Sequence, residues 1–152
     1  MLDANVLISA LNHDSGTSEI QYRAAREKLS SLLQDDSIGV VLTPLVRHEV
    51  MRGLPRWDLS KIASVKNTLD GFITISITDE ISGVATTVYQ ILKEQDEIRG
   101  GSERNSYKLA FDIMHVATAH VYNLELISTD SDIEKGSSEK SVGDFGLWEI
   151  AQ

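Results

Sequence analysis

Strand-like and helix-like periods alternate along this chain. Residues 38–42 form an apolar run, as in a strand covered on both faces. Residues 72–77 alternate and are β-branched, and 124–128 make another short strand-like run. The chain opens almost inside a first strand at Leu2-Asp3, and residues 142–150 carry a last strand or two. Helical periods lie between. Residues 6–11 predict a short helix. Ser18 and Gln21 have the spacing of a capping box, and the helix they open is expected to turn Ala24, Leu29, Leu32 and Leu33 inward. Thr43-Pro44 joins a cap residue to a proline at the first helical position. The helix it starts runs through Glu49 to Arg52, where Gly53 and Pro55 stop it. Residues 60–69 predict another helix, ended by Asp70-Gly71. Thr78 caps a long one over 79–94, with Ile81, Val84, Ala85, Val88 and Leu92 on one face. A strongly apolar helix is expected over 108–122, and 12–18 and 96–105 read as polar loops.

Such alternation favours a parallel sheet wrapped by helices, an α/β fold. No repeat or linker interrupts it, and 152 residues suit one domain spanning 1–152. In doubly wound sheets ligands collect beyond the carboxyl ends of the strands. Asp3 and Asp130 directly follow strand-like runs, and Glu49 lies on a helix leaving the same edge. Asp112 sits near the start of its helix among Leu109, Phe111, Ile113 and Val116. Carboxylates beside apolar runs are costly to bury without a partner. A hard divalent cation resolves the repulsion among them, since Mg²⁺ binds through a few carboxylates while keeping several waters.

Composition narrows the choice. No cysteine is present, which excludes disulfides, thiolate zinc sites and a cysteine nucleophile. The longest apolar runs are strand-sized, far below membrane-spanning length. No basic segment followed by an apolar stretch opens the chain, so a cytosolic protein is the default expectation. The net charge of −9 argues against simple nucleic-acid binding. Cations held in an acidic pocket would partly answer that objection, as would local basic groups. Arg47, Arg52, Arg56 and Lys61 form one such group, and Lys135 with Lys140 another, although a solvated face is the plainer reading. His48, His115 and His120 share no ligand spacing. Trp57 and Trp148 read as packing or interface residues rather than as base-stacking platforms.

Four segments, taken in order, resemble the motifs of PIN-domain ribonucleases, and among these the VapC-type toxins of type II toxin–antitoxin pairs. Leu2-Asp3-Ala4-Asn5-Val6-Leu7-Ile8 is similar to the first motif, and Thr43-Pro44-Leu45-Val46-Arg47-His48-Glu49-Val50-Met51-Arg52-Gly53 to the helix bearing the second. Asp112-Ile113-Met114-His115-Val116-Ala117-Thr118-Ala119 resembles the third, and Leu126-Ile127-Ser128-Thr129-Asp130 the fourth. The chain departs from the family pattern in three places. Its first strand is short, the 96–107 loop is longer than the toxins usually show, and Ser128 stands where Thr is commoner.

The resemblance implies a three-layer α/β/α fold with a central, mostly parallel sheet of four to five strands. It implies a hydrolase, an Mg²⁺- or Mn²⁺-dependent endoribonuclease that leaves a 5′-phosphate and a 3′-hydroxyl. Asp3, Asp112 and Asp130 would bind the metal, and Glu49 would orient the attacking water or complete a second metal site. Asn5 and Ser128 would hold the carboxylates in place, and Asp132 is a further acid beside the fourth motif. As a toxin the chain would form a homodimer and meet a small antitoxin that places a basic side chain into the acidic pocket. The segment Leu54-Pro55-Arg56-Trp57 is the expected contact surface.

Plainer readings stand beside each assignment. Asp3 also suits a helix cap, Glu49 an exposed acid paired with Arg52 or Arg47, and Asp112 an i, i+4 pair with Lys108. Asp130 and Asp132 also suit an ordinary turn. Two functional alternatives are a non-catalytic PIN-type binding module and a phosphatase of the haloacid dehalogenase type. The phosphatase also opens on an Asp two residues before a second acid, but here Asn5 takes that second place.

Overall fold

The computed structural model describes residues 1–11, 17–98 and 106–128. Residues 12–16 of the expected 12–18 loop, residues 99–105 of the expected 96–105 loop, Asp130, Asp132, Lys135, Lys140, Trp148 and the expected 142–150 strands lie outside the described residues.

Six helices and two short strands are seen among the described residues: α1 (Ala4–Leu11), α2 (Glu19–Gln34), β1 (Val41–Leu42), α3 (Pro44–Arg52), α4 (Leu59–Asp70), β2 (Ile73–Thr74), α5 (Asp79–Ile98) and α6 (Ser106–Val121). They fall into two compact units. Residues 1–76, with the segment beginning at Ile127, form one, and Ile77–Leu126 belong to the other. No helix among the described residues is long and apolar enough to cross a membrane.

In the first unit the helices begin where local chemistry tells them to. The Gln21 N–H donates to Ser18 Oγ while the Gln21 side chain accepts from the Ser18 N–H, a complete capping box. Thr43 Oγ1 accepts from the Val46 N–H at 3.2 Å, Pro44 occupies the first turn of α3, and Gly53 ends it. Asp58, which sequence pattern did not single out, caps α4 by accepting from the Lys61 N–H at 2.8 Å. The stripe on α2 is Ala25, Leu29 and Leu32 rather than Ala24, Leu29, Leu32 and Leu33; Ala24 and Leu33 are exposed. The i, i+4, i+7 spacing of the observed set keeps one narrow face inward.

The strands are shorter than expected. Among the described residues, only Val41–Leu42 and Ile73–Thr74 form a regular parallel pair, with Val41 opposite Ile73 and Leu42 opposite Thr74. Ile38 is exposed and lies in a turn, its N–H donating to the Asp35 carbonyl, because Asp35 Oδ1 also draws in the Ser37 N–H and hydroxyl. Ile73 is 64% exposed, so β2 is not a buried strand. Leu2 and Ile127 make an isolated parallel bridge beside this pair. The Leu2 N–H donates to the Val41 carbonyl (3.2 Å), the Asp3 N–H to Ile127 (2.9 Å), the Ile127 N–H to Met1 (2.9 Å) and the Ile75 N–H to Leu42 (2.9 Å). Backbone hydrogen bonds therefore set four segments side by side in the order 127, 2, 41, 73. Leu2, Val6, Leu7, Leu42, Val46 and Leu69 are fully buried around them. Helix α1 packs on α2 and α3.

The described part of the second unit is a pair of helices. Ile81, Ala85 and Val88 of α5 bury against Ile113 and Ala117 of α6, with Val84 and Leu92 at the margin, which is the expected face. Helix α5 continues to Ile98, so residues 96–98 are helical rather than the start of a loop. Its acidic first turn, Asp79 and Glu80, suits the positive end of the helix. Helix α6 ends in a Schellman turn. The Leu124 N–H reaches back to the Ala119 carbonyl (2.7 Å) and the Asn123 N–H to His120 (3.0 Å), with Asn123 at φ 51°.

Candidate functional site

Asp3 leaves its strand position directly into α1 and is 5% exposed. The parallel register that pairs Leu2 with Ile127 sets Asp3 beside Ser128 on the same face. The Ser128 hydroxyl donates to Asp3 Oδ2 at 2.7 Å, and Asn5 Nδ2 donates to the same oxygen at 3.2 Å. Two donors on one oxygen offset part of the cost of burying the carboxylate and fix its orientation. Both described hydrogen bonds thus fall on Oδ2. Thr43, at the next position along the carboxyl edge, is fully buried while capping α3.

Glu49 lies on α3, one turn beyond the Val46 contact with the core. Its side chain is only 15% exposed, and Arg52 Nη2 stands 3.9 Å from its Oε1. The expected surface pairing with Arg52 is present, but on an acid that is mostly withdrawn from water. Arg47 serves another purpose. Its guanidinium donates to the Leu69 carbonyl at 2.7 Å and to Asp70 Oδ1, tying α3 to the C-terminal end of α4. Lys66 adds a second cation to Asp70 at 3.1 Å. Arg47, followed by Lys66, holds the Asp70 carboxyl below the ordinary carboxylate range.

Asp112 belongs to the second unit. It is half-buried on α6, beside the buried Ile113 and one turn from the buried His115. Asp130 and Asp132 lie outside the described residues. Among the described residues no three acidic or histidine side chains gather as a metal site. The donors described do suit a hard cation: they are carboxylate oxygens, one of them buried and pre-oriented, with no cysteine in the chain.

The chain matches the PIN domain over residues 1–137. It belongs to the PIN domain family. PIN domains are generally nucleases, typically metal-dependent, that act on RNA. Comparison with curated proteins and with solved structures returned no match.

Within this PIN domain the structure joins Asp3, Asn5 and Ser128, all named from sequence, into one hydrogen-bonded set. The reading of the 54–57 segment is corrected in part. Leu54 is a core residue rather than part of a contact surface, and Pro55 is half-buried, leaving Arg56 and Trp57 outermost. Trp57 is 86% exposed, which removes the packing half of its expected role among the described residues and leaves the interface half. A one-turn connection between helices, marked by Gly53 and Pro55, was the available signal, because its tip cannot reach the core.

Proposed function

We propose that this PIN domain is an Mg²⁺- or Mn²⁺-dependent endoribonuclease in which Asp3, Asp112 and Asp130 hold the cation. The reading rests on one observation above all. Asp3 is a buried carboxylate at the carboxyl edge of parallel segments, oriented by the Ser128 hydroxyl and the Asn5 amide. Groups that fix a ligand's orientation in this way govern how well it binds metal. Asp112 and Asp130 enter through the order of the motifs, and Asp132 is a further acid near the fourth. A bound divalent cation supplies two things here, a lowered pKa for water and neutralisation of charge on the phosphoryl oxygens. Glu49 orients the attacking water. The water gives up a proton to solvent as its oxygen bonds to phosphorus in line with the departing 3′ oxygen, the P–O3′ bond breaks, and the 3′ oxygen takes a proton from solvent. The products are a 5′-phosphate and a 3′-hydroxyl.

The fold proposed with it is the three-layer α/β/α form with four to five mostly parallel strands, in one domain over 1–152. Four adjacent segments linked by backbone hydrogen bonds support the sheet, and a family match running through both units supports the single domain. The resemblance of the four motifs to VapC-type toxins supports a toxin acting as a homodimer and restrained by a small antitoxin, and the cytosol remains its default location. The deciding experiment is cleavage of a fluorescent RNA with Mg²⁺ or Mn²⁺ against EDTA, beside a p-nitrophenyl phosphate control. Wild type is expected to cut RNA only with metal, and Asp3→Asn and Asp112→Asn to lose cleavage while keeping a native circular dichroism spectrum. Full activity in both variants would end the proposal.

A further inference from the structure

The connection between α3 and α4 combines three features. The Asp58 N–H donates to the Pro55 carbonyl at 3.2 Å, closing a tight turn with Arg56 and Trp57 at its tip. Trp57 is 86% exposed, and Leu59 beside it is 73% exposed. An indole held in water loses the burial that usually places tryptophan. Around it the charge is reversed from that of the chain. Residues 52–61 hold Arg52, Arg56 and Lys61 against the single acid Asp58, in a protein of net charge −9. Asp58 is engaged as the cap of α4, where the helix end offsets its charge. Arg47 is committed to Asp70 and lies outside this group.

A flat π surface among cations fits a single strand of nucleic acid, in which bases and phosphates alternate. A protein partner is less well matched. Stable interfaces bury about 800 Å² on each side, and the large exposed apolar residues of this turn are one indole and one leucine. The strip also leads toward the acid of α3, since Arg52 lies between Glu49 and the turn and is within 3.9 Å of Glu49.

We propose that the α3–α4 turn is a docking strip for single-stranded RNA, with Trp57 stacking on a base and Arg52 and Arg56 meeting the adjoining phosphates. The strip deepens the ribonuclease reading and rests on it for the identity of the strand. Its test is kept apart from cleavage. Binding of a fluorescein-labelled, ten-nucleotide 2′-O-methyl RNA is followed by anisotropy in EDTA, where no hydrolysis occurs. Trp57→Leu is expected to weaken binding roughly tenfold, the effect of one lost base–aromatic stack, while Trp57→Phe keeps most of it. Arg56→Gln should reduce the slope of log K against log salt by about 0.7, one phosphate contact on a single strand. Equal affinity in wild type and Trp57→Leu, or no binding by wild type, overturns the strip and leaves the Asp3 cleavage test untouched. A shift from dimer to monomer in Trp57→Leu by light scattering, with RNA affinity unchanged, also overturns it, in favour of a protein interface.

Discussion

Asp3 carries a charge that the fold withdraws almost completely from water, and its two donors come from very different distances. Asn5 is two residues away and Ser128 is 125 away, so the second bond exists only once the first and last described segments of the unit lie in register. Ser128→Ala should therefore destabilise the protein by about 1–3 kcal/mol, the cost of leaving a buried charged group short of a donor. Urea denaturation checks this, and the loss should shrink when Asp3 is already Asn. Asp70 offers a second test, in pH. Its folded pKa is depressed by Arg47 and Lys66. A depressed carboxylate contributes stability that is fully present above its unfolded pKa, about 3.9, and is lost as pH falls through the lower folded value. Wild type should thus lose stability on acidification below about pH 4 more steeply than Asp70→Asn, read from urea midpoints between about pH 2 and 6.

The helices were legible because their starts and stops are written in neighbouring residues. Ser18 with Gln21, Thr43 with Pro44, and Gly71 after Asp70 all act within one turn. The strands were less so. Residues 38–42 and 72–77 have the apolar and β-branched content of strands, yet most of them pair with nothing regular among the described residues. The Asp35–Ser37 turn claims Ile38, and the exposure of Ile73 leaves β2 with little burial to lengthen it. Whether an apolar run becomes a strand depends on partners elsewhere in the chain. The end of α6 makes a sharp local prediction. Asn123 adopts φ 51°, a region that Asn tolerates and β-branched residues do not. Asn123→Val should cost about 1–2 kcal/mol, whereas Asn123→Gly should be neutral or slightly stabilising, both measured by thermal melts.

For the molecule as a whole, the proposed metal site can be tested through its linkage to folding. A cation that binds only the folded chain raises the melting temperature as its concentration passes its Kd. Wild type should gain several degrees in excess Mn²⁺, and Asp3→Asn and Asp112→Asn should each abolish the gain. A shift retained in Asp112→Asn would remove that acid from the metal set without appeal to activity. The linear order of residues was enough to read the α/β class and the caps at Ser18 and Thr43, since each depends on residue type or on spacing within a turn or two. Folding added the Asp3–Ser128 pair, the withdrawal of Glu49, the commitment of Arg47 to Asp70 and the exposure of Trp57. These follow from register and burial between segments far apart in the chain, and no local pattern encodes which distant residue will be the neighbour.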